Sequence, residues 1–86
     1  MNWMTILKGR IRMHEYNTVY DLLIDGEKRT VGEIARETGL GTSKVYHLMI
    51  KMLRKNHIFP GVKREELSNK YISAQSYLYW REVSRK

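Results

Sequence analysis

The glycines at positions 39 and 41 constrain the fold of this chain more than any other feature. The upstream run Thr30-Val31-Gly32-Glu33 matches a capping box, in which threonine and glutamate satisfy free N–H groups at a helix start. We therefore predict a helix from this box through Ile34 and Ala35 to about Thr38. Glycine adopts the left-handed conformation that ends a helix without steric cost, so Gly39-Leu40-Gly41 predicts a sharp break. A new helix then begins at Thr42 or Ser43.

The helix after this break has the strongest periodic signal in the sequence. Its apolar residues recur at the spacing of one helical face and continue to about Asn56. They are Val45, Leu48, Met49, Met52 and Leu53. A stripe of this kind must be buried, so we expect the helix to pack on the helices before it.

Another helix is predicted over about His14 to Asp25, where Asp25-Gly26 is a typical stop signal. Its apolar stripe is formed by Tyr16, Val19, Tyr20 and Leu23. The charged turn from Glu27 to Thr30 could add a very short strand.

Residues 1–13 are interpreted as an N-terminal amphipathic segment that precedes one domain over residues 14–86. Its apolar residues have helical spacing and predict a short helix over Asn2 to Met13. They are Trp3, Ile6, Leu7 and Ile11. We expect this segment to pack on the domain or on a second copy rather than on a membrane surface.

Two strands are predicted in the C-terminal part. Tyr77 to Val83 is rich in aromatic and branched residues, and Ile58 to Lys63 could be its antiparallel partner around the turn at Pro60-Gly61. Arg64 to Ser76 is then a long connection, in which Glu65 to Lys70 could form a helical turn. The aromatic residues here are expected to pack on the core, and they are Tyr71, Tyr77, Tyr79 and Trp80.

Charge points to the class of partner. The chain has 86 residues, enough for one hydrophobic core, and its 16 basic residues outnumber 9 acidic ones to give a net charge of +7. Such an excess favours polyanions, and nucleic acid first among them. The lack of cysteine excludes disulfides, and no apolar run approaches the roughly 20 residues of a membrane span. We expect a cytoplasmic protein, associated with the nucleoid if DNA is its partner.

The central part of the chain resembles the winged helix-turn-helix family of DNA-binding proteins. The matching residues are Ile34, Ala35, Gly39, Leu40, Val45 and Leu48, and Tyr79-Trp80-Arg81 at the second strand extends the resemblance to most of residues 14–83. The resemblance implies an α+β, mainly helical fold with three core helices, a two-stranded wing and an additional N-terminal helix. It implies a non-enzymatic regulator that places the helix at about 42–56 in the major groove of double-stranded DNA. It also leaves open a homodimer through the N-terminal segment.

The candidate DNA contacts lie opposite the apolar stripe of that helix. Phosphates could be bound by the helix start and its cations, base edges by serine and histidine, with lysine able to reach a guanine, and a thymine methyl by isoleucine. These candidates are Thr42, Ser43, Lys44, His47, Ile50, Lys51 and Arg54, with Lys63, Arg64 and Lys70 in the wing. Acids are absent from Gly39 through Val62, whereas an ordinary solvated helix mixes both signs.

Other functions remain open or are disfavoured. A winged fold can serve as a protein-interaction module for a polymerase, nuclease or replication partner, and RNA is a third ligand class. Residues 39–44 lack the glycine and lysine order of a nucleotide-binding loop. The scattered histidines do not predict a metal site, and Ser43 near His47 lacks an orienting acid, so we expect neither a cofactor nor an enzyme.

Overall fold

Three helices and a two-stranded antiparallel sheet form a small α+β domain in the computed structural model, which describes residues 11–67 and 77–83. The elements are α1 (Met13–Leu22), a 3-10 turn (Leu23–Asp25), α2 (Val31–Thr38), α3 (Thr42–Arg54), β1 (Val62–Glu66) and β2 (Tyr77–Arg81). The three predicted core helices are confirmed, and each begins and ends within a few residues of its predicted position.

The ends of α2 form as the sequence predicts. The Thr30 hydroxyl accepts from the Glu33 N–H at 3.2 Å, while the Glu33 carboxylate accepts from the Thr30 N–H at 2.9 Å. Gly39 ends the helix with a φ of 78°. Because these local signals set both ends, α2 and α3 are joined by a short turn.

The predicted helix over Asn2 to Met13 is wrong at its C-terminal end. Arg12 is extended and forms the N-cap of α1, because its N–H donates to the Glu15 carboxylate at 2.9 Å. Ile11 is half-buried against the core. Trp3, Ile6 and Leu7 lie outside the described residues.

The sheet pairs Val62 with Arg81, Arg64 with Tyr79 and Glu66 with Tyr77. The predicted partner strand over Ile58 to Lys63 is therefore wrong in its bounds. The Ile58 and Phe59 N–H groups both donate to the Lys55 carbonyl at 2.9 Å, so the chain is still turning there.

The predicted loop from Arg64, with a helical turn at Glu65, is also corrected, because Arg64 to Glu66 belong to β1. Backbone pairing with β2 holds these polar residues extended. The rest of that connection, residues 68–76, lies outside the described residues, and Tyr71 with it.

A third chain segment joins the sheet at one position. Arg29 and Tyr79 exchange backbone hydrogen bonds of 2.9 and 2.8 Å, forming an isolated antiparallel bridge. The short strand that could follow α1 is thus reduced to one residue. It fixes the segment before α2 against β2.

The core lies between the helices and one face of the sheet. Its buried apolar residues are Tyr16, Val19, Leu23, Val31, Ile34, Ala35, Val45, Leu48, Met49, Met52, Phe59, Val62 and Tyr79. Trp80, predicted to be in the core, is only half-buried, because alternation along β2 directs Tyr79 inward and its neighbour to the other face. Tyr77 is half-buried against the core.

Within residues 11–67 and 77–83, no helix combines the length and the apolar character that a membrane crossing requires.

Candidate nucleic-acid interface

α3 has one buried face and one exposed face. Four residues of the predicted stripe are fully buried, namely Val45, Leu48, Met49 and Met52. The opposite side of the helix faces solvent, and its exposed residues are Thr42, Ser43, His47, Lys51 and Arg54. Packing on α2 and β1 therefore leaves a polar strip along the length of α3.

The start of α3 has a glycine, Gly41, as its N-cap. No side chain in the described part of the chain caps the first N–H groups there. Thr42 and Ser43 are exposed beside these donors. The arrangement leaves positive partial charge at this end of the strip.

Lys44 is not a free cation. Its ammonium donates to the Glu15 carboxylate of α1 at 2.9 Å, and the lysine side chain is 33% exposed against 9% for the glutamate. The Arg12 N–H and then Lys44 hold the pKa of Glu15 below its usual value. The pair ties the first turn of α3 to that of α1, so Lys44 serves the packing of two helices.

Three exposed cations lie at the C-terminal end of α3. Lys51, Arg54 and Lys55 are exposed, and none has an ion-pair partner among the described residues. Lys55 is the C-cap of the helix and is not among the candidates predicted from the sequence. Lys55 could have been identified from the sequence, because it directly follows Arg54 in the stretch without acids. Cations here are also favoured by the negative end of the helix dipole.

His47 has a fixed ring orientation within the strip. Its Nδ1 lies 2.8 Å from the main-chain carbonyl oxygen of Ser43, one turn earlier. The Tyr46 ring meets the imidazole edge to face at 5.8 Å. Ile50, predicted to point outward, is half-buried, so it offers only part of its side chain to a ligand.

The two faces of the sheet separate the basic residues of β1. Arg64 shares the face of Tyr79, which packs on the core, and its guanidinium lies 4.5 Å from the ring centroid of Tyr77. Lys63 is paired with Trp80 and therefore lies on the opposite face. Of the two basic residues of β1, Arg64 is therefore on the helix-facing side, and Lys70 lies outside the described residues.

Lys28 and Glu65 neutralise each other on the outer sheet face, which also carries Lys63. Lys28 lies over the Trp80 ring at 4.6 Å and donates to the Glu65 carboxylate at 2.7 Å. This contact removes one lysine and one glutamate from the free charges of the surface. The outer face is therefore a weaker attractant for anions than the strip on α3.

Buried Arg29 gathers acidic residues around one guanidinium. It donates to both Asp25 oxygens at 2.9 and 2.7 Å and to Glu37 at 2.8 Å, with Glu27 at 3.5 Å. These hydrogen bonds lower the pKa of Asp25 to about 2. Three of the nine acids are thus neutralised at a site built by α2 and the segment before it.

The geometry does not assemble catalytic or metal-binding groups in the described part of the chain. No three histidine or acidic side chains there come together at metal-binding distance. His47 bonds the carbonyl of Ser43 rather than its hydroxyl, so these two side chains do not form a nucleophile–base pair. The chemistry that the strip offers is hydrogen bonding and charge neutralisation.

Comparison with protein-family models, curated proteins and solved structures gave no match for this chain.

Proposed function

We propose that this protein is a winged helix-turn-helix DNA-binding protein that places α3 in the major groove of double-stranded DNA. The order of elements supports the proposal: a short helix, a glycine turn and a longer helix, followed by two antiparallel strands. The bridge between Arg29 and Tyr79 adds a third extended segment in front of α2.

The observation that carries the proposal is the one-signed exposed face of α3. Lys51, Arg54 and Lys55 lack ion-pair partners in the described residues, and no acid occurs between Gly39 and Val62. Exposed helices in ordinary solvated surfaces mix both signs, because pairs at three or four residues stabilise them. A strip without acids suits a polyanion.

The length of α3 fits this use. Its 13 residues extend about 20 Å, while the major groove is about 12 Å wide. With the first turns against the bases, the C-terminal end would reach the phosphates that flank the groove. Ser43, His47 and the exposed part of Ile50 would then meet base edges, and Lys51, Arg54 and Lys55 the backbone.

The biological role that follows is transcriptional control by occupation of an operator or promoter. Such a protein needs no catalytic group and no cofactor, since binding alone excludes or recruits other proteins. Because the proposed ligand is chromosomal DNA, we also propose that the protein acts in the cytoplasm, in association with the nucleoid.

Salt dependence of duplex binding tests the proposal. Each cation that neutralises a phosphate adds about 0.9 to the slope of log K against log salt, so replacing Lys51, Arg54 and Lys55 together with glutamine should reduce it by about 2.7. Fluorescence anisotropy with mixed-sequence duplexes at roughly 50 to 200 mM salt measures the slope.

Two single variants serve as controls for that titration. Lys28→Gln, on the outer sheet face, and Lys44→Gln, already paired with Glu15, should both keep the wild-type slope. A triple variant with the wild-type slope would contradict the proposed orientation of α3. No binding of any duplex at low salt would favour a protein partner instead, and stronger binding of structured RNA would favour RNA.

A further inference from the structure

The hydrogen bond between His47 and Ser43 determines which ring nitrogen can meet a ligand. The distance from Nδ1 to the Ser43 carbonyl oxygen is 2.8 Å. A carbonyl oxygen only accepts hydrogen bonds, so Nδ1 must carry a proton. In the neutral imidazole the other nitrogen, Nε2, then holds a lone pair and is an acceptor.

This assignment makes His47 different from the other exposed residues at the start of α3. The hydroxyls of Thr42 and Ser43 can both donate and accept, so they do not discriminate between donors and acceptors on a ligand. His47 offers one acceptor, and its ring is held by the Ser43 carbonyl and the adjacent Tyr46 ring. A fixed acceptor is a selective group.

Base edges in the major groove differ in whether they donate or accept a hydrogen bond. Adenine N6 and cytosine N4 are amino groups that donate, whereas thymine O4 and guanine O6 are keto groups that accept. A single acceptor therefore separates the amino bases from the keto bases on the strand it meets.

We propose that His47 is a specificity-determining residue whose Nε2 accepts a hydrogen bond from the amino group of adenine or cytosine. The inference rests on the proposed binding of α3 in the major groove. His47 lies one turn before Lys51, about 6 Å along the axis, so it is inside the groove when that lysine reaches a phosphate. One hydrogen bond of this kind gives a preference of about tenfold.

Selection from a random duplex library tests the assignment. The 86-residue chain and its variants are allowed to bind in mildly alkaline buffer, and the bound sequences are counted. The wild type should show one position that prefers adenine and cytosine over guanine and thymine. His47→Ala should lose the preference at that position alone.

Replacement of the acceptor by a donor gives the sharper result. Lysine has only donors, so His47→Lys should reverse the preference to guanine and thymine. His47→Gln retains an acceptor and pairs well with adenine, so it should keep an amino base there. His57→Ala, an exposed histidine beyond α3, is the matched control and should leave every position unchanged.

The outcomes separate this inference from the proposed function. Identical base preferences in the wild type, His47→Ala and His47→Lys would overturn the role of His47, while duplex binding with the expected salt slope would still support the use of α3. Reversal in His47→Lys supports both. If no duplex is bound, both proposals fail together.

Discussion

Arg29 forms three of the five ion pairs found among the described residues. Its side chain is 7% exposed, yet it contacts three carboxylates and is bridged through its backbone to Tyr79. A buried guanidinium is tolerated only when its donors are satisfied. The paired acids therefore become part of what holds the segment before α2 in place.

The pairing predicts a loss of stability in acid. The pKa of Asp25 falls from 3.8 to about 2 in the folded state, so its contribution is complete above 3.8 and disappears as the pH falls toward 2. Asp25→Asn removes this linkage. We expect its melting temperature to fall less steeply than that of the wild type between pH 5 and pH 2, measured by circular dichroism.

Asp21→Asn is the matched control for that measurement. Asp21 is exposed and has no ion-pair partner among the described residues, so its variant should keep the wild-type steepness. Parallel curves for Asp25→Asn and the wild type would contradict the assigned role of the Arg29 pair.

The burial and pairing of a side chain can be predicted where they depend only on neighbours in the sequence. The outward position of His47 and Lys51 follows from helical spacing alone. Lys44 was predicted to be free because its partner, Glu15, is 29 residues away in the sequence. Trp80 was predicted to be in the core because both registers of an aromatic strand appear equally apolar, and a shift of one residue exchanges the two faces.

Three glycines in the turns between elements differ in how much an added side chain should destabilise the fold. Gly39 and Gly61 have φ angles of 78° and 88°, whereas Gly41 has an ordinary value of −69°. A Cβ on Gly61 would lie 2.5 Å from the Glu82 carbonyl oxygen, while one on Gly39 or Gly41 would have no atom of the described residues within 4 Å. An alanine at position 39 would be strained only by the left-handed backbone, whereas one at position 61 would also collide with the Glu82 backbone.

We expect Gly39→Ala to lower the free energy of unfolding by about 1 kcal/mol, the cost of the left-handed conformation for an L-residue. Gly61→Ala should cost clearly more, because it also displaces the Glu82 N–H that donates to the Gly61 carbonyl at 2.7 Å. Gly41→Ser should gain a few tenths of a kcal/mol as a better N-cap. Urea unfolding measures all three, and equal losses for Gly39→Ala and Gly61→Ala would refute the close contact.

Helices were easier to predict than strands for a physical reason. The boundaries of α2 come from side chains within the same ten residues, and those of α3 from its own apolar stripe. β1 has one buried residue, Val62, followed by four exposed polar ones, so its composition is typical of a loop. It is a strand because Tyr77–Arg81 supplies backbone partners from far along the sequence.

Charge is unevenly distributed over the whole molecule. All nine acids fall within 15–37 and 65–82, and five of them contact Lys28, Arg29 or Lys44. The sequence shows the acid-free stretch, but only the fold shows which cations beside it lack an ion-pair partner within residues 11–67 and 77–83. A net charge of +7 on a small domain also implies self-repulsion, which a bound polyanion relieves.

This distribution predicts that duplex DNA stabilises the folded protein. A ligand at about 100 times its dissociation constant adds about 2.7 kcal/mol, which for a domain of this size raises the melting temperature on the order of 10 °C. Differential scanning fluorimetry at low salt measures the shift. Because electrostatic binding to phosphates weakens with salt, the shift should shrink as salt increases. At the same DNA concentration, the variant with glutamine at positions 51, 54 and 55 should show a much smaller shift, and an equal one would mean that DNA binds elsewhere on the molecule.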